Sequence, residues 1–160
     1  MTGTPGTDQV SALPAALAEI AEDFTGMPVK ERLQLLLEFS DNLPPLPERY
    51  ARHVETMEQV HECQSPVFLA VEVAPVGQQV QLFFQAPEES PTTRGFAGIL
   101  SEGLSGLSAG EVLAVPDDAP YRFGLAEAVS PLRLRGMVAM LSRIKHQVRG
   151  RSGDRTTSQQ

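Results

Sequence analysis

The stretch Val67-Phe68-Leu69-Ala70-Val71-Glu72-Val73-Ala74-Pro75-Val76-Gly77-Gln78-Gln79-Val80-Gln81-Leu82-Phe83-Phe84-Gln85 reads as two strands folded back on a turn. Val67, Leu69, Val71 and Val73 alternate with Phe68, Ala70, Glu72 and Ala74, the two-residue period of a strand with one strongly buried face. Pro75-Val76-Gly77-Gln78 supplies turn residues. Val80, Leu82 and Phe84 then alternate with Gln79, Gln81 and Gln85, giving a second strand with one wet face. Glu58–His61 upstream extends the pair to a small, mostly antiparallel sheet of about three strands.

Helical periods surround this sheet on both sides. Leu13, Leu17, Ile20 and Phe24 recur at helical spacing, Pro14 is tolerable in a first turn, and Gly26 is placed to end the helix. A second helix starts at Pro28. Val29, Leu33, Leu36, Leu37 and Leu43 are read as its apolar stripe, and Lys30, Glu31, Arg32, Gln34 and Glu38 as its wet side. The Gly-Met-Pro link suggests that these two helices form an antiparallel pair. Pro44, Pro45 and Pro47 stop the second helix, leaving a loop with a helical turn near Glu48–Arg52.

Beyond the sheet, Ser90-Pro91 opens a helix with Phe96, Ile99, Leu100, Leu104 and Leu107 on one face. Its Gly95, Gly98 and Gly103 weaken it intrinsically, so close packing against a neighbour must sustain it. Short helical pieces are expected at Ser108–Leu113 and Phe123–Val129, with a turn at Asp117–Tyr121. Ser130-Pro131 caps the last helix, with Leu134, Met137, Val138, Leu141, Ile144 and Val148 buried and Arg135, Arg143, Lys145 and Arg149 outside. The expectation is a single α+β domain over residues 11–149, with a disordered lead-in at 1–10 and a disordered tail at 150–160.

Composition narrows the function. The 160 residues are 41% hydrophobic and 21% charged, ordinary for a soluble globular chain of one domain. A formal net charge of −7 argues against nucleic acid or an anionic membrane as the main partner. No apolar run approaches the ~18–20 residues that span a bilayer, and Met1–Thr7 has neither the basic nor the apolar region of a signal peptide. With one cysteine, no internal disulfide forms, and the cytoplasm is the expected location.

One Cys and three His (His53, His61, His146) are too few for a closed zinc or iron–sulfur site in this chain. Neither a dinucleotide nor a P-loop glycine motif is present, nor Gly-x-Ser-x-Gly, nor His-Glu-x-x-His. What remains is Cys63, in Glu58-Gln59-Val60-His61-Glu62-Cys63-Gln64-Ser65-Pro66, where a short extended segment meets a turn. A turn carries a side chain to a surface or cleft, so Cys63 reads as a working thiol. In an extended segment His61 lies on the same face, roughly 6–7 Å away. A cationic His61 would favour the thiolate, whereas the Glu62 carboxylate brought near by the turn would disfavour it. The bland alternative is a small hydrophobe packed in a core.

Four ordered segments resemble the SufE/CsdE family of sulfur acceptors that serve cysteine desulfurases. Leu43-Pro44-Pro45-Leu46-Pro47 is similar to that family's LPxLP region, and Val60–Leu69 to its Val-x-Gly-Cys-Gln-Ser-x-Val-Trp-Leu segment. Arg94-Gly95-Phe96 resembles its basic-Gly-Leu helix, and Ser130-Pro131-Leu132-Arg133-Leu134-Arg135-Gly136-Met137 its closing helix. Glu62 stands where the family has glycine, and Phe68 where tryptophan is common.

The resemblance implies a SufE-like fold, with helices packed on one side of a small sheet and the cysteine on a loop at its edge. It implies that Cys63 takes sulfur as a persulfide, with Arg133 supporting the active-site or partner surface. It further implies a SufS/CsdA-like cysteine desulfurase as partner, holding the pyridoxal phosphate, and a SufBCD-like scaffold complex as destination. The chain itself would bind no cofactor or metal, and would act as a partner and activator rather than as an enzyme in its own right. Shelter of the thiol by Leu69, Phe84 or the last helix is expected. The alternatives are a Cys/His hydrolase or transferase using Cys63 with His61 or His53, and an interaction module with an inert cysteine.

Overall fold

The alternating segments form one three-stranded antiparallel sheet in the order β1 (Glu58–Gln59), β2 (Phe68–Val73) and β3 (Val80–Gln85). The structure, a computed structural model, describes residues 13–158, so the lead-in expected at residues 1–10 lies outside the described residues. Leu69 sits opposite Phe84, Val71 opposite Leu82 and Val73 opposite Val80. All of these except the partly exposed Val73 are buried, so apolar pairs stack on one face of the hairpin. At its tip Gly77 and Gln78 adopt φ of 82° and 52°, and the Ala74 N–H donates to Gln79 O at 2.9 Å to close the turn.

Six helices among the described residues complete the domain: α1 (Ala15–Thr25), α2 (Val29–Asp41), α3 (Glu48–Ala51), α4 (Pro91–Leu104), α5 (Ala109–Leu113) and α6 (Pro131–Ser158). Single 3-10 turns occur at Val54–Thr56, Ala119–Phe123 and Leu125–Glu127. α6 packs across β2, α4 packs on β3, and both α1 and α2 pack on α4. The fold is thus a single α+β domain with its core between the sheet and these helices. Phe24 anchors the far side, its ring 5.8 Å from that of Phe39 and 6.1 Å from that of Phe123. Each such fully buried side chain contributes about 1.5–3 kcal/mol. Among the described residues no helix is long and apolar enough to cross a membrane.

α4 is held as its glycines require. A Cβ on Gly95 would lie 2.6 Å from the carbonyl oxygen of Leu36, and one on Gly98 would run into that of Phe39. The α2 backbone therefore lies directly against α4. That contact corrects the expected α1–α2 pairing, since α2 packs chiefly on α4 and only lightly on α1.

It also corrects which face of α2 is inside. Arg32, Leu36, Phe39, Ser40 and Leu43 are buried, while Val29, Leu33 and Leu37 are exposed. Arg32, assigned to the wet side, donates from Nε to Met27 O at 3.2 Å and from Nη1 to Gly124 O at 2.7 Å and Glu127 Oε1 at 2.8 Å. A guanidinium with its bonds met can replace an apolar residue at a helix–loop junction.

Two corrections concern α6. Lys145, expected outside, is buried, donating from Nζ to Val115 O and at 2.7 Å to Asp117 Oδ1, and Met140 joins the buried stripe. The helix also runs through Gly150 to Ser158, past the point where the tail was expected to begin. Its last buried apolar residue is Val148.

Candidate functional site

The segment between β1 and β2 places Cys63 where the sequence put it, on a turn. The Val60 N–H donates to Val67 O at 2.8 Å, closing the base of the loop, and the Cys63 N–H donates to Val60 O at 3.2 Å. The thiol is half-buried and unpaired. It faces the first turns of α6, where a Cβ added to Gly136 would sit 2.9 Å from its Sγ. The last helix thus meets the thiol through the bare backbone of a glycine rather than through an apolar side chain, while Leu69 and Phe84 are buried in the core.

Cys63 opens onto a cleft of about 330 Å³. Gln64 and Ser65 of its own loop, Ser90 and Pro91 at the start of α4, and Leu132 and Arg133 at the start of α6 line it. Arg133 therefore shares the cleft with the thiol. Ser130 Oγ, accepting from the Arg133 backbone N–H at 3.3 Å, fixes the first turn of α6 beneath it. The Ser65 and Ser90 hydroxyls are hydrogen-bonded to each other, tying the cysteine loop to α4. Ser90 heads α4 as expected, but its side chain makes no capping bond.

On the other side of the loop, Arg143 of α6 donates to Glu58 Oε2 at 2.7 Å and to Glu62 Oε1 at 2.6 Å. Gln147 donates to Glu58 Oε1 at 2.9 Å and accepts the Val71 N–H at 3.0 Å. One face of α6 thereby clamps β1, β2 and the cysteine loop together. The bond from Arg143 holds the Glu62 carboxyl below its usual range.

Burial pushes the Cys63 thiol up to about 11; the Glu62 charge adds to this and Arg143 partly offsets it. The resting group is a neutral thiol. His61 is exposed and no hydrogen bond joins it to Cys63 among the described residues; His53 lies apart, its Nδ1 3.2 Å from Glu55 Oε2. Neither imidazole is hydrogen-bonded to the thiol, and no three His, Cys, Asp or Glu side chains are grouped to hold a metal, among the described residues.

Reading the sequence alone left three parts of this site without a role. Gly136 lies in the resemblance segment yet gave no sign that a thiol would rest on it. Arg143 was read only as solvent-facing, and Ser65 only as a turn residue. A glycine inside a strongly periodic helix was the one available signal, since it marks a close approach.

A small sheet covered by helices carries one cysteine on an edge loop facing a polar cleft, and no imidazole is hydrogen-bonded to that thiol among the described residues. Residues 18–148 match the SufE family, described as the Fe-S metabolism associated domain. The chain belongs to that family. It is 51% identical over 139 residues to an uncharacterised SufE-like protein of Mycobacterium tuberculosis, covering 87% of this chain and 95% of that one. It is 30% identical over 133 residues to the chloroplastic/mitochondrial SufE-like protein 1 of Arabidopsis thaliana, covering 82% of this chain and 34% of that protein. The solution structure of a hypothetical protein from Thermus thermophilus has the same fold, with a TM-score of 0.76 and 43% identity, over 88% of this chain and 98% of that one.

Proposed function

We propose that the protein accepts sulfur on Cys63 from the persulfide of a cysteine desulfurase, stimulates that enzyme, and passes the sulfur to iron–sulfur cluster assembly. The observation that carries this reading is the half-buried Cys63 thiol resting on Gly136 at the mouth of a polar cleft. In the transfer step the Cys63 thiolate attacks the terminal sulfur of the donor persulfide. A new S–S bond forms on Cys63, the donor S–S bond breaks, and the donor cysteine leaves as thiolate with no net oxidation. Pyridoxal phosphate acts upstream, in the desulfurase, and a SufBCD-like scaffold would receive the sulfur.

With its pKa raised to about 11, only roughly one part in ten thousand of the thiol is ionised at pH 7. Docking must therefore expose or recharge the sulfur before it attacks. Arg133, in the cleft on an exposed turn, is suited to meet the acidic or sulfur-bearing side of the donor. Shelter against Gly136 would also protect a bound persulfide from small reductants.

Intact-mass spectrometry after incubation with free cysteine and a desulfurase tests the reading. The wild type gains the mass of one or more sulfur atoms, removable by reductant, and Cys63→Ser gains none. A wild type that gains nothing from any SufS- or CsdA-like desulfurase overturns it.

A further inference from the structure

Among the described residues, the far edge of the sheet carries an unfilled stretch of ladder. Val80 turns away from β2, its N–H donating to Leu107 O at 2.7 Å and its C=O accepting from Gly106 N–H at 2.8 Å. Strand alternation gives Leu82 and Phe84 the same outward sense. Val71, opposite Leu82, sends its N–H the other way, to Gln147 Oε1, as this register requires. Next in the outward series, Ala86 O accepts from Arg94 Nη1 at 2.8 Å. Between those two tied ends, the N–H and C=O groups of Leu82 and Phe84 have no hydrogen-bond partner among the described residues.

At Gln81–Phe83 this edge borders a groove of about 390 Å³ between β3, the C-terminal half of α4 and the end of α2. Phe39 and Leu82 make its apolar floor, and Asn42, Ser101 and Glu102 its polar wall. Glu102 is the one charged residue lining it and forms no ion pair among the described residues. The thiol cleft uses the opposite end of α4. The nine helical rises from Thr92 to Ser101 set the two about 14 Å apart.

We propose that this groove binds an extended, cationic segment of a partner protein as a fourth strand beside β3. Outward groups two residues apart match the repeat of an extended chain, which meets them with its own N–H and C=O. A cation on that chain would meet the free Glu102, and the formal charge of −7 favours a basic segment over a second copy of this acidic chain. Engagement there leaves the Cys63 cleft open, so the segment tethers a partner while the thiol works.

The probe is an acetylated, amidated octapeptide of alternating lysine and valine, titrated into isotope-labelled full-length protein and followed by amide chemical shifts and hydrogen exchange. The Leu82 and Phe84 amides are expected to shift, saturate and become protected, with Cys63 alkylation unchanged. Glu102→Lys should weaken binding by roughly tenfold or more, and the backbone N-methylated peptide should not bind. Equal binding of a glutamate–valine octapeptide, or no shift at Leu82 and Phe84, overturns the proposal. So does protection of those two amides before peptide is added. Sedimentation would then show whether this chain's own terminus or a second copy already fills the edge.

Discussion

Glycine brings two pairs of surfaces into contact in this molecule, with opposite consequences. On α4, Gly95 and Gly98 face the carbonyl oxygens of Leu36 and Phe39, backbone atoms fixed inside the α2 helix. On α6, Gly136 faces the Sγ of Cys63, the end of a side chain on a loop. The first seam cannot give and is structural. The second can give, because Sγ is the end of a side chain free to rotate about χ1, not part of a helix backbone. The same residue type thus builds a permanent joint in one place and a releasable seat in the other.

The sharpest way to break this contrast is to add one methyl group on each side. Gly98→Ala forces α2 away from α4 and should cost about 2–4 kcal/mol, despite the ~1 kcal/mol that alanine gains in helix propensity. Chemical denaturation measures this directly, and a neutral outcome would mean that the seam is not rigid. Arg32→Met, where α2 meets the Gly124 loop, leaves the carbonyls of Met27 and Gly124 without their donor and should cost about 2 kcal/mol. An unchanged denaturation midpoint would return Arg32 to the wet side of α2.

Gly136→Ala should leave stability within about 1 kcal/mol of wild type, since helix propensity offsets the displaced sulfur. Its signature is chemical: the thiol is turned toward water, its pKa falls from about 11, and alkylation at pH 8 accelerates several-fold. Slower alkylation would show that the glycine is not the seat.

Glu62→Gln gives the smallest effect, because burial outweighs the Glu62 charge in raising the thiol. Removing that negative charge lowers the Cys63 pKa, so the alkylation–pH profile moves to lower pH and the rate at pH 8 rises about two- to threefold. A profile shifted upward would mean that the freed Arg143 no longer faces the thiol.

Local pattern carried most of the architecture. Strand alternation identified β2 and β3 with their buried faces, proline and glycine marked the ends of α1 and α2, and the turn chemistry of Gln64-Ser65-Pro66 set Cys63 on a loop. These are short-range properties, in which backbone sterics and a two- or 3.6-residue period act within one segment. What each face meets is not local.

The Val29-Leu33-Leu37 row is as apolar as the buried one, and only the α4 glycines decide that Leu36 and Phe39 go inside. Arg32 and Lys145 are charged, yet they are buried because carbonyls from Gly124 and Val115 arrive from more than twenty residues away in the chain. The sequence by itself therefore determined a helix-covered antiparallel sheet and one thiol on its edge loop. Only the tertiary structure decided that this thiol rests neutral on Gly136 beside the Arg143–Glu62 pair, because burial and charge at a sulfur atom depend on what other segments bring to it.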